Sequence, residues 1–383
     1  MKLYVNSKYP SIDDLKNKAK KRIPKFAFEY LDGGCNQDVN IVKNTAEIRE
    51  VELSPYYLDS YNEPSLKTEL FGHTYDAPFG ISPIGLQGLI WPNSPEILAK
   101  AAFDHNIPFI LSTVTTSSIE RISEITEGKA WFQLYHPTEA RLRDDIIKRA
   151  AAADCPVLVI LCDVPTFGYR PRDIRNGLAM PPKMSISNVL QVLQKPAWAL
   201  NTLRYGQPGF ETLKPYMPKG LNLSELGKFM DQTFSGRLNE EKIKPIRDMW
   251  KGKLVLKGVA TEQDAQTAIK LGLDGIIVSN HGGRQLDAGQ SSIKPLVSIA
   301  DKYGDKIKVM MDSGLRSGPD IARTIASGAE FSFLGRSFMY GVSALGQKGG
   351  DHTISLLKTE LKQVMDQVGC EKIEDLHKHL VKN

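Results

Sequence analysis

The chain has 383 residues, of which 41% are hydrophobic and 24% charged, and these proportions exclude long disordered segments. Its net charge of +5 is too small for this length to indicate a nucleic-acid-binding protein. The sequence has no apolar run of about eighteen residues and no signal-peptide pattern after Met1, so we expect neither a membrane-spanning helix nor secretion.

The four cysteines and seven histidines have no spacing that is typical of a metal site. The cysteines are scattered without a CxxC pair, and no HExxH motif occurs. We therefore predict neither a metal centre nor a disulfide framework. Reduced thiols are typical of cytoplasmic proteins, so the expected location is the cytoplasm.

The first 75 residues are predicted to form a helical extension. Ser11 and Asp14 have capping-box spacing, which predicts a first helix that starts there. Pro24 is predicted to open a second helix that runs through Tyr30 and ends at a Gly-Gly pair. The rest of this extension is expected to be irregular.

Eight short apolar runs follow, and the segments between them carry helix-start signals such as Ser94-Pro95 and Thr261-Glu262. Alternating strands and helices predict a parallel sheet, and eight such units predict a closed (β/α)8 TIM barrel within one domain over residues 1–383. The predicted strands are Phe79–Pro83, Pro108–Ser112, Trp131–Tyr135, Val157–Asp163, Leu254–Gly258, Gly275–Ser279, Ile307–Asp312 and Phe331–Gly335.

One connection is much longer than the others, because about 90 residues separate Asp163 from Leu254. We predict a loop insertion after the fourth strand, over residues 181–239. It is rich in proline, glycine and aromatic residues, and residues 183–220 carry a surplus of lysine and arginine. Such a segment can be a mobile loop, a lid, an oligomer contact or a membrane-surface contact.

Polar residues follow nearly every predicted strand, and active sites of TIM barrels lie at these carboxyl ends. After strands seven and eight, Gly314, Gly318 and Gly335 would let backbone N–H groups approach an anion. Arg316 and Arg336 would add positive charge there. Barrels frequently bind phosphate at this position, so the sequence indicates a phosphorylated cofactor.

Five further residues indicate the chemistry. Lys257 ends an apolar strand, where it could form a Schiff base or stabilise negative charge on a cofactor. His281 lies in a glycine-rich turn and is the candidate general base, with Asp163 to orient it. Arg170 and Arg284 could clamp a substrate carboxylate.

The segment Ser279–Asp287, SNHGGRQLD, resembles the signature of the FMN-dependent α-hydroxy acid oxidases and dehydrogenases. That family includes glycolate oxidase, lactate oxidase and flavocytochrome b2. The resemblance extends from about Pro24 to Gly369 and includes FEYLDGG at 28–34, WFQLY at 131–135, LKG at 256–258, DSGLR at 312–316 and LGR at 334–336. It implies a TIM barrel, FMN as the cofactor, a 2-hydroxy acid as the substrate and a homotetramer.

The resemblance also implies residue roles. His281 resembles the catalytic base and Asp163 its partner, and Lys257 resembles the lysine beside flavin N1. The resemblance implies that the catalytic residues are His281, Asp163, Lys257, Tyr30 and Tyr135. It implies that the substrate is bound by Tyr30, Tyr135, Arg170, His281 and Arg284. The residues that match FMN contacts are Pro83, Ile84, Gly85, Ser112, Gln133, Lys257, Ser279, Asp312, Ser313, Gly314, Leu315, Arg316, Gly335 and Arg336.

Two positions depart from the glycolate oxidase pattern. Val114 stands in place of a tryptophan and widens the pocket, and Leu161 stands in place of a threonine. Three features are more similar to the bacterial L-lactate dehydrogenases, which are peripheral membrane enzymes of the respiratory chain: LSTV at 111–114, IGL at 84–86 and the long insertion with PAW at 196–198. No cytochrome domain is expected before the barrel.

The sequence thus predicts oxidation of an L-2-hydroxy acid, L-lactate foremost, to the 2-oxo acid. The electrons would pass to a quinone, an electron-transfer protein or oxygen, and residues 183–220 would contact the inner face of the cell membrane. The alternatives are a larger or aromatic acid such as mandelate, an FMN-dependent isomerase, a Schiff-base aldolase on Lys257 and a non-catalytic binding protein.

Overall fold

A computed structural model describes residues 5–58, 60–178, 185–218, 229, 232–234 and 236–381. A barrel of eight parallel strands lies at its centre, in the order β3-β10-β9-β8-β7-β6-β5-β4. Ile81 pairs with Phe109, and the Ile81 N–H donates to the Pro108 carbonyl at 2.9 Å, which brings the first and second barrel strands together. The strands are β3 (Phe79–Ile81), β4 (Ile110–Ser112), β5 (Trp131–Leu134), β6 (Val157–Leu161), β7 (Lys253–Val259), β8 (Gly275–Val278), β9 (Lys308–Met311) and β10 (Phe331–Leu334).

The predicted (β/α)8 TIM barrel is therefore confirmed, and each predicted run contains or overlaps one barrel strand. Most barrel residues are buried on both faces, as parallel sheets covered by helices require.

Two helices begin where the sequence predicts. Ser11 caps α1 (Ile12–Arg22) by accepting from the Asp14 N–H at 3.1 Å, and the Asp14 carboxylate accepts from the Ser11 N–H in return. Pro24 precedes α2 (Lys25–Asp32). The extension also contains α3 (Val39–Arg49), where irregular chain was expected.

Sequence patterns do not predict α3, and the reason is physical. Asp38, its first flanking residue, is left-handed and makes no side-chain cap, and the helix buries Asn40 and Asn44 rather than a clear apolar stripe. Both asparagines bind the turn after β8 instead: each side-chain oxygen accepts a 2.7 Å hydrogen bond from the Asn280 amide. This helix is held by polar contacts that hydrophobic periodicity does not report.

A short hairpin, β1 (Thr68–Leu70) and β2 (His73–Tyr75), lies at the amino end of the barrel and was also missed. Leu70 and Tyr75 are buried, and Phe71 packs with them against the barrel interior. Three-residue strands give too little alternation to be predicted from sequence. The barrel residues beneath the hairpin are Ile110, Trp131, Val157, Val159, Val255, Ile277, Met310, Phe331 and Phe333.

The insertion after β6 contains helices, although a loop was expected. Its described part includes α9 (Ile186–Leu193), α10 (Pro196–Tyr205) and a 3-10 turn at Lys214–Tyr216. Of the residues that the sequence placed in this insertion, Pro181, Lys183, Lys219 and Gly220 lie outside the described residues. The other helices are α4 (Gln87–Ile90), α5 (Ser94–Asp104), α6 (Ile119–Thr126), α7 (Ala140–Ala152), α8 (Pro171–Arg175), α11 (Glu240–Met249), α12 (Glu262–Lys270), α13 (Ile293–Tyr303), α14 (Gly318–Ala326), α15 (Arg336–Leu345) and α16 (Gly349–Val368).

Trp198 fixes α10 to the barrel. This side chain is 5% exposed, and its Nε1 donates to the Leu89 and Ile90 carbonyls at the end of α4, at 3.2 and 3.1 Å. Its ring also packs edge-on against Phe26 of α2, with centroids 5.8 Å apart. Across the described ranges, no helix combines the length and apolar character needed to cross a bilayer.

Candidate active site

A cavity of about 700 Å³ opens at the carboxyl ends of the barrel strands. Most of the site residues that the sequence singled out line it together: Tyr30, Pro83, Ile84, Gly85, Tyr135, Arg170, Lys257, His281, Arg284, Asp312, Ser313, Gly314, Leu315, Arg316, Gly335 and Arg336. Five others do not line it. The Gly318 N–H donates to the Glu360 carboxylate at 2.7 Å and not into the cavity, so the prediction that Gly318 approaches an anion there is wrong. Ser112, Gln133 and Ser279 are buried at strand ends, and Asp163 lies behind His281.

His281, after β8, and Asp163, after β6, form a pair across the end of β7, which lies between those two strands. His281 Nδ1 lies 3.2 Å from an Asp163 carboxylate oxygen, which leaves Nε2 as the nitrogen available to a ligand. Burial lowers the pKa of His281 below its usual range although Asp163 opposes this, and Lys257 and Arg170 lower it further. Burial tends to raise the pKa of Asp163, but His281 and Lys257 outweigh it and hold that pKa low. The imidazole is therefore neutral and beside a carboxylate, as a general base requires.

A bulge in β7 makes room for this pair. The pairing register with β8 shifts between Lys257 and Val259, and Gly258 between them has a φ of +101°. A side chain at Gly258 would bring its Cβ within 2.7 Å of Asp163. Gly258 is thus required both by the backbone and by the close approach of Asp163.

Lys257 is buried at the base of the cavity. Its Nζ lies 3.0 Å from the Asp312 carboxylate and donates to Ser279 Oγ at 3.0 Å. Burial tends to lower the pKa of Lys257, but the charges of Asp312 and Asp163 raise it overall. The ammonium group is therefore a fixed positive charge in a low-dielectric wall, and a protonated amine of this kind is a poor Schiff-base nucleophile.

Arg170 and Arg284 face the same part of the cavity. Arg284 is held by hydrogen bonds from its guanidinium to the Tyr30 and Gly33 carbonyls, at 2.7 and 2.8 Å, and it stacks 4.9 Å from the Tyr30 ring centre. Burial and the neighbouring Arg170 lower the pKa of Arg284, which means that two cations share a desolvated space. Such a pair favours an anionic ligand.

Asp173 is a site residue that the sequence reasoning missed. Its carboxylate lies 3.8 Å from Arg170 and 4.0 Å from Arg284, and it is buried at α8. Burial raises the pKa of Asp173 although both arginines oppose it. Its position three residues after Arg170 is the signal that could have revealed it, because residues at this spacing share a helix face.

Arg316 and Arg336 lie at the far end of the cavity. Burial, together with the charge of Arg316, lowers the pKa of Arg336 to about 9. An anion bound between the two guanidinium groups would raise this pKa again. The Arg336 guanidinium also donates to the carbonyls of Leu31, Gly282 and Gly33 at 2.9–3.0 Å, so it ties α2 to the histidine turn. This end suits a phosphate group.

The histidine turn is tied to the turn after β9. Ser313 Oγ accepts from the Gly282 N–H at 2.9 Å and donates to Asp312 at 2.9 Å. Ser313 itself has a φ of +79°, and His281 a φ of +58°. Two strained turns thus support each other across the top of the barrel.

Two residues of the insertion reach the site, which the sequence also missed. Phe210 lines the cavity and Phe234 packs against Tyr135 with ring centroids 5.8 Å apart. Other aromatic residues of the insertion are exposed, as Tyr205 is, or buried outside the cavity, as Trp198 is, so composition could not separate them. The charged groups of the cavity therefore come from the barrel and α8, and Phe210 of the insertion adds to its apolar lining.

The comparisons with known proteins agree with this geometry. The model of the family described as FMN-dependent dehydrogenase matches residues 19–383. The chain belongs to the FMN-dependent dehydrogenase family. It is 35% identical to the L-lactate dehydrogenase of Vibrio parahaemolyticus over 95% of this chain and 96% of that protein. The L-lactate dehydrogenase of Pseudomonas syringae pv. syringae is also 35% identical, over 96% of each chain.

Solved structures give the same family. A monotopic membrane protein, (S)-mandelate dehydrogenase, superposes with a TM-score of 0.92 at 33% identity, over 98% of this chain and 100% of that one. A soluble mutant of the membrane-associated (S)-mandelate dehydrogenase from Pseudomonas putida gives a TM-score of 0.83 at 32% identity, over 97% and 99% of the two chains. The chain is an FMN-dependent 2-hydroxy acid oxidoreductase, and FMN is its cofactor.

The residues present fit FMN. Gln133 is 2% exposed at the end of β5, and its Nε2 has no hydrogen-bond partner among the described residues. An unpaired buried amide is costly, and a ring oxygen or nitrogen of a bound flavin would satisfy it. Arg316 and Arg336 would hold the phosphate, and Lys257 would lie near the flavin ring.

Proposed function

We propose that this protein oxidises an L-2-hydroxy acid, L-lactate foremost, to the corresponding 2-oxo acid, with the site residues in the roles given below. The observation that carries the proposal is the joint placement of His281, Lys257 and the Arg170–Arg284 pair around one cavity. Bound FMN supplies the two-electron oxidant. The protein supplies orientation, a base and fixed charge.

Each side chain has a defined task. Arg170 and Arg284 bind the substrate carboxylate, which fixes the position of its Cα. His281 Nε2 takes a proton from the substrate, from the hydroxyl or from Cα, and Asp163 stabilises the imidazolium that results. The hydroxyls of Tyr30 and Tyr135 face the same space and donate hydrogen bonds to the substrate. Lys257 stabilises negative charge that develops on the cofactor.

The size of the acid depends on the wall opposite these charged groups. Val114, Leu178 and Phe210 line the cavity there, and Gly85 adds no side chain. A methyl group leaves much of this apolar space unfilled. We therefore keep a larger or aromatic acid such as mandelate as the second candidate, and the two solved relatives described as mandelate dehydrogenases support it.

The test is anaerobic mixing of the purified holoenzyme with L-lactate or with (S)-mandelate while the flavin absorbance is followed. Rapid bleaching by L-lactate supports the first substrate, and bleaching by mandelate alone supports the second. A flavin that stays oxidised with both acids would contradict the proposal. The D enantiomers are the matched controls and should not bleach it.

We also propose that the insertion binds the membrane surface. Outward-facing apolar residues on α9 and α10 form what we call the apolar face: Ile186, Val189, Leu190, Leu193, Leu200 and Leu203. Leu193 is 71% exposed and Leu203 81%. Lys195 and Arg204 flank this face, and such amphipathic helices with basic residues bind anionic lipid surfaces.

Vesicle flotation tests this contact. We expect the holoenzyme to float with vesicles of phosphatidylglycerol and phosphatidylcholine. A Leu193→Asp/Leu203→Asp variant should not bind the vesicles and should remain at the bottom of the gradient. Val297→Asp, which places a charge at an exposed apolar position on α13 outside the insertion, is the control and should still float. Equal flotation of both variants would reject the apolar face as the contact.

The proposed membrane contact also indicates which electron acceptor this enzyme uses. Exposed Phe167, Tyr169 and Ile174 line the opening of the cavity and lead along the chain towards the apolar face. We propose a lipid-soluble quinone as the acceptor. Reoxidation by a quinone that greatly outpaces reoxidation by air supports it. The tetramer that the family resemblance implies stays a prediction for light scattering to test.

A further inference from the structure

The last part of the insertion includes residues 232–234, which we call the second limb. It contacts the chain just after the end of β5. The Thr138 N–H donates to the Thr233 carbonyl at 2.8 Å, and the Thr138 hydroxyl donates to the Gln232 carbonyl at 3.0 Å. These two bonds join the limb to the chain three residues after Tyr135. Phe234, the next residue along the limb, is consequently held at a fixed distance from Tyr135.

Phe234 packs edge-on against Tyr135. The ring centroids are 5.8 Å apart with an interplanar angle of 68°, which is a favourable arrangement for two aromatic rings. Phe234 is only 5% exposed, and the space around the two rings, bordered by His136 and Cys162, is nearly filled, with about 20 Å³ left. Close packing of this kind leaves the Tyr135 ring little freedom to rotate.

The Tyr135 hydroxyl needs such support. Within the described ranges it takes part in no hydrogen bond, and the backbone N–H of Tyr135 donates to Thr113 Oγ1 at 3.1 Å. Burial and the nearby Asp163 raise the pKa of Tyr135, so the phenol keeps its proton and can donate it. The packing of the ring sets where the phenol oxygen lies, and therefore which atoms it can reach.

We propose that Phe234 is a positioning residue for hydroxy acid oxidation, which acts by holding the Tyr135 phenol in line with the substrate. This inference rests on the substrate-binding role proposed for Tyr135. It assigns to the insertion a second task besides surface contact, because the same segment that carries the apolar face also fixes one wall of the site.

A double-mutant cycle tests the inference. The rate of anaerobic flavin reduction by the better substrate is measured for the wild type, Phe234→Ala, Tyr135→Phe and the double variant. We expect Phe234→Ala to lower the maximal rate about tenfold in the wild-type background and less than twofold in the Tyr135→Phe background, since the hydroxyl that it positions is then absent. Phe234→Tyr keeps the ring edge and should recover most of the rate.

Controls separate positioning from a structural effect. Tyr205→Ala removes an exposed aromatic residue from the same insertion and should leave the rate unchanged. Bound FMN per chain and the melting temperature show whether each variant is folded, and Phe234→Leu replaces Phe234→Ala in the cycle if the latter loses FMN. Equal losses in both backgrounds, or no loss in either, would overturn the inference. A wild-type rate for Tyr135→Phe would instead show that the role proposed for Tyr135 is wrong.

Discussion

The barrel and the insertion contribute to one cavity in opposite ways. The strand ends contribute titratable side chains such as Lys257, His281 and Asp312, each fixed by a partner two strands away in the barrel. The insertion contributes aromatic side chains, Phe210 and Phe234, that are fixed by packing. The difference teaches that the reaction depends on the rigid strands, whereas the shape of the site depends on a segment that can vary without disturbing them.

Replacing the base gives the largest expected effect. His281→Asn should lower turnover by about 10²–10⁴, because general-base catalysis contributes that much. Flavin binding should persist, since the phosphate end of the cavity lies elsewhere. Turnover and the visible spectrum measure the two. The control is His73→Asn, on the hairpin at the amino end of the barrel, which should keep wild-type turnover. A His281→Asn enzyme with near-normal turnover would remove the main support for assigning the chemistry to the barrel.

Removing the buried cation should come next. Lys257→Met is expected to slow flavin reduction by about 10²–10³, the usual cost of losing one preorganised charge. The flavin reduction potential should also fall, which a dye-equilibration titration measures. The matched control is Lys358→Met, since Lys358 is also buried but lies on α16 outside the cavity. Equal effects of the two substitutions would mean that Lys257 matters only for folding.

Loss of the Asp173 carboxylate, which holds Arg170 and Arg284, should weaken substrate binding. Asp173→Asn is expected to raise KM about tenfold, equivalent to about 1.4 kcal/mol, with a smaller change in kcat. Asp274→Asn is the control, because Asp274 also joins two cations, Arg247 and Lys253, but at the amino end of the barrel. A KM that stays constant or falls would show that Asp173 does not hold the carboxylate-binding pair.

The pH dependence gives the smallest and most specific effect. The neutral imidazole is the active form, so kcat/KM should fall as the pH drops and His281 becomes protonated. Because burial lowers the pKa of His281, the midpoint should lie below the ordinary imidazole value of about 6.5. Asp163 opposes that shift, so Asp163→Asn should move the midpoint lower still. A midpoint that rises in this variant would contradict the pairing of the two residues.

The parts that the sequence predicted well are those with a repeating physical cause. Strand runs such as Val157–Asp163 are apolar because both faces are buried, and the polar residues after them must then meet at one end of the barrel. The roles of Lys257, His281, Asp163 and the two arginines were indicated by their positions and refined by the family resemblance, and the other residue roles came from the resemblance alone. All of these roles remain proposals.

The rest depends on contacts between distant parts of the chain. Asn40 and Asn44 make α3 a helix that binds the turn after β8, and no periodicity reports that. Phe210 and Phe234 are indistinguishable by composition from exposed neighbours such as Tyr205. Helices α9 and α10 were predicted as a loop because the long connection is rich in proline and glycine, whereas one of these prolines, Pro196, starts α10.

The hairpin at the amino end has a kinetic consequence. Phe71 and its neighbours cover an interior in which Trp131, Ile277 and Phe331 are completely buried, so the barrel is filled from that side. Substrate, oxidised product and electron acceptor then share the opening at the carboxyl end, and a bulky acceptor must wait for the 2-oxo acid to leave. Steady-state kinetics should accordingly follow a ping-pong pattern, with parallel double-reciprocal lines and with product inhibition that is competitive towards the acceptor.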